Sequence, residues 1–255
     1  MTHGIFPGRI VPVLLGAFLV LFFFPDSTGA VALPTITLGV DEAESPKQIS
    51  NALQVLFILT VFSVAPAILL MTTCFTRIVI VLGFVRQAMG TQNMPPTQVI
   101  LGLSLFLSFF IMSPTLDRIN QEALQPYLAE QISQPVALEK ALEPMRDFML
   151  SQVREEELIL LTEITMKTEP VEKEDIPTLT LIPAFMLSEL KRAFQMGFMI
   201  YIPFLVIDMI VASVLMSMGM MMLPPVIISM PFKLLLFVLV DGWNLVVGSL
   251  IKSFG

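Results

Sequence analysis

The sequence is poor in the residues that carry most enzymatic and metal chemistry. It holds one cysteine, Cys74, and one histidine, His3. A single cysteine excludes an intrachain disulfide and a cysteine-based metal centre; Cys74 reads as a small buried hydrophobe. With the only imidazole at position 3, the body of the chain has none for acid–base or metal work. It also lacks G-x-S-x-G, H-E-x-x-H, a glycine-rich phosphate loop and paired aspartates in a GxGD-type span. No catalytic residue, cofactor or metal is expected. Charge is scarce as well, at 14% of residues where soluble domains carry about 25%. A net charge of −7 without a clustered basic face argues against nucleic acid as a partner.

What the chain does have is apolar sequence, 55% hydrophobic residues in runs of membrane length. The first run, IVPVLLGAFLVLFFF (10–24), follows Arg9 and precedes PDSTGAVA, with Ala30 and Ala32 in an A-x-A arrangement. A basic start, a short apolar run and small residues make a signal peptide over 1–32, cleaved after Ala30 or Ala32. At 15 residues the run is short for a spanning helix. The mature chain would then begin at Val31 or Leu33, outside the cytoplasm.

Four more apolar stretches follow, and the expected fold is an all-α membrane protein. The stretches are about Leu53–Val85, Val99–Met112, Phe194–Leu215 and Val226–Val247. Prolines 66, 203 and 231 break the first, third and fourth, and the second ends near Pro114. Paired as two hairpins, they give domains at 33–115 and 183–255. Between them lies a polar insert, 116–182. Over 116–180 it carries 14 acidic against 6 basic residues. Within the insert Leu138, Leu142, Met145, Met149 and Val153 recur at three- and four-residue steps, the mark of an amphipathic helix. Arg77 and Arg86, with no acid nearby, mark 76–98 as a cytoplasmic loop; the insert then falls on the external side. Lys191 and Arg192 fit that topology poorly. Arg77, Asp208, Lys233 and Asp241 lie in or beside apolar runs, where charge survives only against protein or a water-filled cavity.

Three segments carry a resemblance. PAFMLSELKRAFQMGF (183–198), with Pro183, Phe185, Ser188, Glu189, Phe194 and Gly197, resembles the first signature of the FliP family. PPVIISMPFKLLLFVLVDGW (224–243), with Pro231 and Lys233, resembles the second. LLMTTCFTRIVIVLGFVRQAMGTQNMPP (69–96) is similar to the family's well-marked first segment. The resemblance implies the export gate of bacterial flagellar type III secretion, or of its virulence counterparts. It implies a homopentamer completed by FliQ-like and FliR-like subunits and joined by FlhB-like and FlhA-like proteins. It further implies a place in the inner membrane at the flagellar basal body, the insert on the periplasmic side, and unfolded flagellar proteins as cargo.

The charges and methionines give sharper expectations. If the last two stretches turn near Met220, Asp208 and Lys233 lie at equal depth and can pair; Glu189 of a neighbouring subunit is the competing partner for Lys233. An intersubunit contact is the favoured reading for Glu189. In MSMGMMMLPPVIISMPFK (216–233), Gly219 and Pro224-Pro225 isolate Met220, Met221 and Met222 as a turn between apolar segments. Met216 and Met218 read as packing. The resemblance implies that the three form a pore gasket, and unbranched, deformable thioethers suit one. Two rival readings are a Cu(I)-binding channel or transporter using these thioethers, and a membrane enzyme using Asp208 and Asp241. Neither has supporting ligands or motifs.

Overall fold

The computed structural model describes residues 46–91, 94–165, 175–220 and 223–255. The signal-peptide reading with Ala30 and Ala32, and the methionines Met221 and Met222, lie outside them. The chain divides into two compact units, 1–55 and 56–255. Of the first, only the opening of helix α1 is described; everything below concerns the second.

All regular structure among the described residues is helical. In chain order it runs α1 (Pro46–Met71), α2 (Phe75–Ala88), α3 (Thr97–Ile119), a π-helical turn (Asn120–Leu124) and α4 (Gln125–Leu128). Then come α5 (Gln134–Gln152), α6 (Glu155–Thr165), α7 (Thr178–Ser217), α8 (Pro225–Leu239) and α9 (Gly242–Lys252). Proline sets several starts. Pro96, Pro177 and Pro224 stand at the caps of α3, α7 and α8 without a side-chain capping bond. There a missing N–H costs nothing and the fixed φ suits the first turn.

Three helical stretches are long and apolar enough to cross a membrane: Leu53–Met71, Thr97–Leu128 and Thr178–Ser217. A fourth exists if α8 and α9, bent by 63° at their junction, count as one. The expected stretches differ from these in instructive ways. The Leu53–Val85 run breaks at 72–74. Its second part, α2, is a core helix, burying Ile78, Val81, Leu82, Val85 and Ala88 along one face. The second stretch does not stop at Pro114. Proline cannot donate to the Phe110 carbonyl, but the Ser113 hydroxyl does, at 3.0 Å, and the helix continues. The third begins sixteen residues before Phe194, at Thr178, so the first signature segment is helix. The expected borders at 115/116 and 182/183 therefore fall inside α3 and α7.

The core forms where α2 packs against α7 and α3. A smaller cluster around Met149, Leu158, Ile176, Leu181 and Phe185 fixes the insert helices α5 and α6 to the start of α7. Of the amphipathic stripe in the insert, Met149 is buried, whereas Leu138 and Leu142 are exposed; only the second half of α5 uses its apolar face on this chain.

Candidate functional site

Arg77 is the centre of a buried polar cluster. It projects from the first turn of α2 and is wholly inaccessible to solvent. A guanidinium in that position needs an acceptor for every donor, and it finds them on three separate elements. Nε donates to Glu189 Oε2 of α7 at 2.9 Å and Nη2 to Glu189 Oε1, a two-pronged ion pair. Nη2 also donates to Gln152 Oε1 of α5 at 3.1 Å. Nη1 donates to both the carbonyl and the hydroxyl of Ser253, each at 2.9 Å. The Phe254 ring lies 3.7 Å from the guanidinium carbon, a cation–π contact. Gln152 closes the network by donating to the Phe254 carbonyl at 3.1 Å and accepting from Arg192 at 3.1 Å. Glu189, expected to reach a neighbouring subunit, is thus engaged by an arginine of its own chain. Sequence reading missed Gln152, Ser253 and Phe254. The available signal was arithmetical: one carboxylate cannot satisfy five donors, so further acceptors were owed.

A second cluster sits between α7 and α8. Lys233, 2% exposed, places Nζ 2.6 Å from Asp208 Oδ2. The Ser229 hydroxyl donates to Asp208 Oδ1 at 2.5 Å. The structure therefore brings Asp208 and Lys233 together within one chain. Asp241 is not part of either cluster. It is exposed on this chain and adopts a left-handed backbone, φ 50°, at the bend between α8 and α9.

Lys191 and Arg192 are held by the insert. Lys191 Nζ bridges Glu156 and Glu157 of α6, 2.9 Å from each. The hydrogen bond and charge of Lys191 hold the Glu156 carboxyl below the usual carboxylate range. The Ser188 hydroxyl accepts the Arg154 amide at 3.0 Å. Lys191 answers two local acids and Arg192 donates to the Gln152 amide oxygen, so partners within the insert account for their awkward position under the charge rule for loops.

The remaining signature residues are packing devices. Gly197 admits the Phe84 ring: a Cβ there would lie 2.4 Å from Phe84 Cδ2. Phe194 meets the same ring edge-on at 5.5 Å. Phe185 is fully buried against Phe148 of α5. Pro183 and Pro231 lie on exposed faces of α7 and α8.

The methionine-rich turn begins with a defined helix stop. Gly219, at φ 74°, ends α7; its amide donates to the Met216 carbonyl at 3.1 Å and that of Met220 to Leu215 at 3.0 Å. That pair of bonds is the Schellman arrangement, which favours glycine at its left-handed position. Met216, Met218 and Met220 are exposed. Among the described residues no three His, Cys, Asp or Glu side chains are grouped to hold a metal.

Residues 58–250 match the FliP family. The chain is 57% identical over 217 residues to the flagellar biosynthetic protein FliP of Bacillus subtilis (strain 168), covering 85% of this chain and 98% of that protein. It is 56% identical over 203 residues to FliP of Pectobacterium carotovorum subsp. carotovorum, covering 80% and 79%. With FliP of Aquifex aeolicus (strain VF5) the identity is 49% over 224 residues, covering 87% and 92%. Both signature segments and the Arg77 segment fall within the matched region, and the chain belongs to the FliP family of flagellar biosynthetic proteins.

Proposed function

We propose that this chain is the pore-forming subunit of the flagellar type III export gate, through which unfolded flagellar proteins leave the cytoplasm. Five copies surround a channel in the inner membrane, with FliQ-like and FliR-like subunits completing the ring and FlhB-like and FlhA-like proteins beside it. The insert of α5 and α6 lies on the periplasmic side. Family membership is the observation that carries this reading.

The physical features are consistent with it. The long helices leave large apolar side chains uncovered, among them Phe57, Phe62, Phe106, Phe198 and Met209. Surface of that kind requires lipid or neighbouring subunits. The deep charges Arg77, Glu189, Asp208 and Lys233 are satisfied within the chain, so the outer surface is free to be apolar. Met220–Met222 form the seal: apolar, deformable and repeated around the ring axis. A hydrophobic constriction of this type excludes ions by dewetting.

The test is complementation. In a flagellated bacterium lacking its own FliP-family protein, this chain restores secretion of flagellar proteins into the medium. The detergent-extracted complex has a mass requiring several copies of the chain. Failure to restore secretion together with extraction as a monomer contradicts the reading.

A further inference from the structure

The turn that follows α9 is shaped as an acceptor. The Ser253 amide bonds back to the Ser249 and Leu250 carbonyls at 3.0 and 3.1 Å, and the Phe254 amide to Ile251 at 3.2 Å. The Ser253 hydroxyl donates to the Leu250 carbonyl at 2.7 Å. Its one proton is thereby committed within the turn, and its lone pairs are left for an outside donor. That hydroxyl and the Ser253 carbonyl both accept from Arg77 Nη1, 176 residues away in the chain. The Phe254 ring covers the same guanidinium.

This turn takes what the helices leave over. Glu189 and Gln152 occupy Nε and Nη2. Among the described residues, Ser253 alone accepts from Nη1. The turn also meets the insert. Gln152, the last residue of α5 and 6% exposed, donates from Nε2 to the Phe254 carbonyl at 3.1 Å. Directly after it Val153 becomes extended, ψ 142°, and the chain bends into α6. Residues 253 and 254 therefore touch the corner between α5 and α6, about a hundred positions earlier in sequence.

We infer that Ser253 and Phe254 form a latch that closes on Arg77 and fixes the α5–α6 corner of the insert to the core of α2 and α7. Closed, it lets one guanidinium join α2, the end of α5, α7 and the turn after α9. Open, it strands the donors of Nη1 and leaves Gln152 Nε2 with the Ser151 hydroxyl, 3.4 Å away. The apolar cluster under the insert and the Lys191 clasp stay in place, so opening loosens the corner and spares the core. The insert takes its final seat only after α9 has returned to the body, which makes assembly depend on two residues remote from the insert in sequence.

The test is amide hydrogen exchange on the detergent-extracted protein, comparing the parent with a chain that stops after Lys252. Exchange across residues 149–158 is expected to quicken about tenfold or more, because buried donors lose their acceptors. Residues 78–85 of α2 keep their protection. Phe254→Tyr retains a ring over the guanidinium and should exchange like the parent. Phe254→Leu keeps apolar bulk without the negative ring face and should fall between parent and shortened chain. Unchanged exchange across 149–158 in the shortened chain overturns the latch. Equal quickening in both segments also overturns it, since that is general loosening. Should the shortened chain be unrecoverable, Phe254→Leu decides by the same two criteria.

Discussion

At Arg77 five donors, one carboxylate and one aromatic ring meet out of contact with water. Replacing Arg77 by alanine strands Glu189 as a buried, unpaired charge, a loss of about 3–5 kcal/mol. The expected result is a fall in recovered complex, measured by its yield and thermal unfolding in detergent. Arg77→Lys keeps the charge but has three donors and no planar fork, so it restores only part of that loss. Lys233→Ala strands Asp208 less severely, because Asp208 is partly exposed and keeps the Ser229 hydroxyl. Its complex should be less stable than the parent but more stable than Arg77→Ala. The Asp208–Lys233 contact was legible in the sequence because both residues lie near one turn, where spacing translates into depth. No partner for Glu189 within its own chain was legible. Its partner is 112 residues away, and no local period connects α2 with α7.

Two glycines decide how the helices start, stop and approach each other. Gly197→Ala forces a Cβ into the Phe84 ring, an overpacking cost of about 1–3 kcal/mol. Gly197→Ala combined with Phe84→Leu should recover part of the thermal stability, since the leucine vacates the ring position. Gly219→Ala places a Cβ in a left-handed backbone at the helix stop, a cost of about 1–2 kcal/mol. The clasp of Lys191 on Glu156 has a pH dependence with a definite sign. The folded carboxyl is held below its unfolded value, so the clasp is intact above the ordinary carboxylate range and is lost as pH falls through the depressed folded value. Both partners are exposed, so the effect is small: amide hydrogen exchange in α6, corrected for the intrinsic rate, should quicken slightly as pH falls through that range. Helical class and the approximate apolar runs were readable from hydropathy. The ends were not, because two devices act at a distance from any sequence window. Ser113 lets α3 pass Pro114, and the acids of α6 let Lys191 remain inside a long helix.

Among the described residues the deep charges are answered inside the chain, the long helices are left apolar outside, and the exposed ion pairs gather on and around the insert. Satisfied clusters at Arg77 and Lys233 remove the need for water-filled cavities around the deep charges, while exposed Phe, Leu and Met cover the long helices. The methionine-rich turn stands at the end of this apolar framework, between the stop at Gly219 and the restart at Pro225. If that turn seals the channel, removing its thioethers while leaving both polar clusters intact must uncouple sealing from assembly. The measurement is ion conductance across membranes containing complexes with Met220→Ala, Met221→Ala and Met222→Ala together. The account predicts an assembled, secreting complex that conducts small ions, seen as current in bilayers and as growth inhibition in cells. An assembled triple variant that remains as tight to ions as the parent would contradict it.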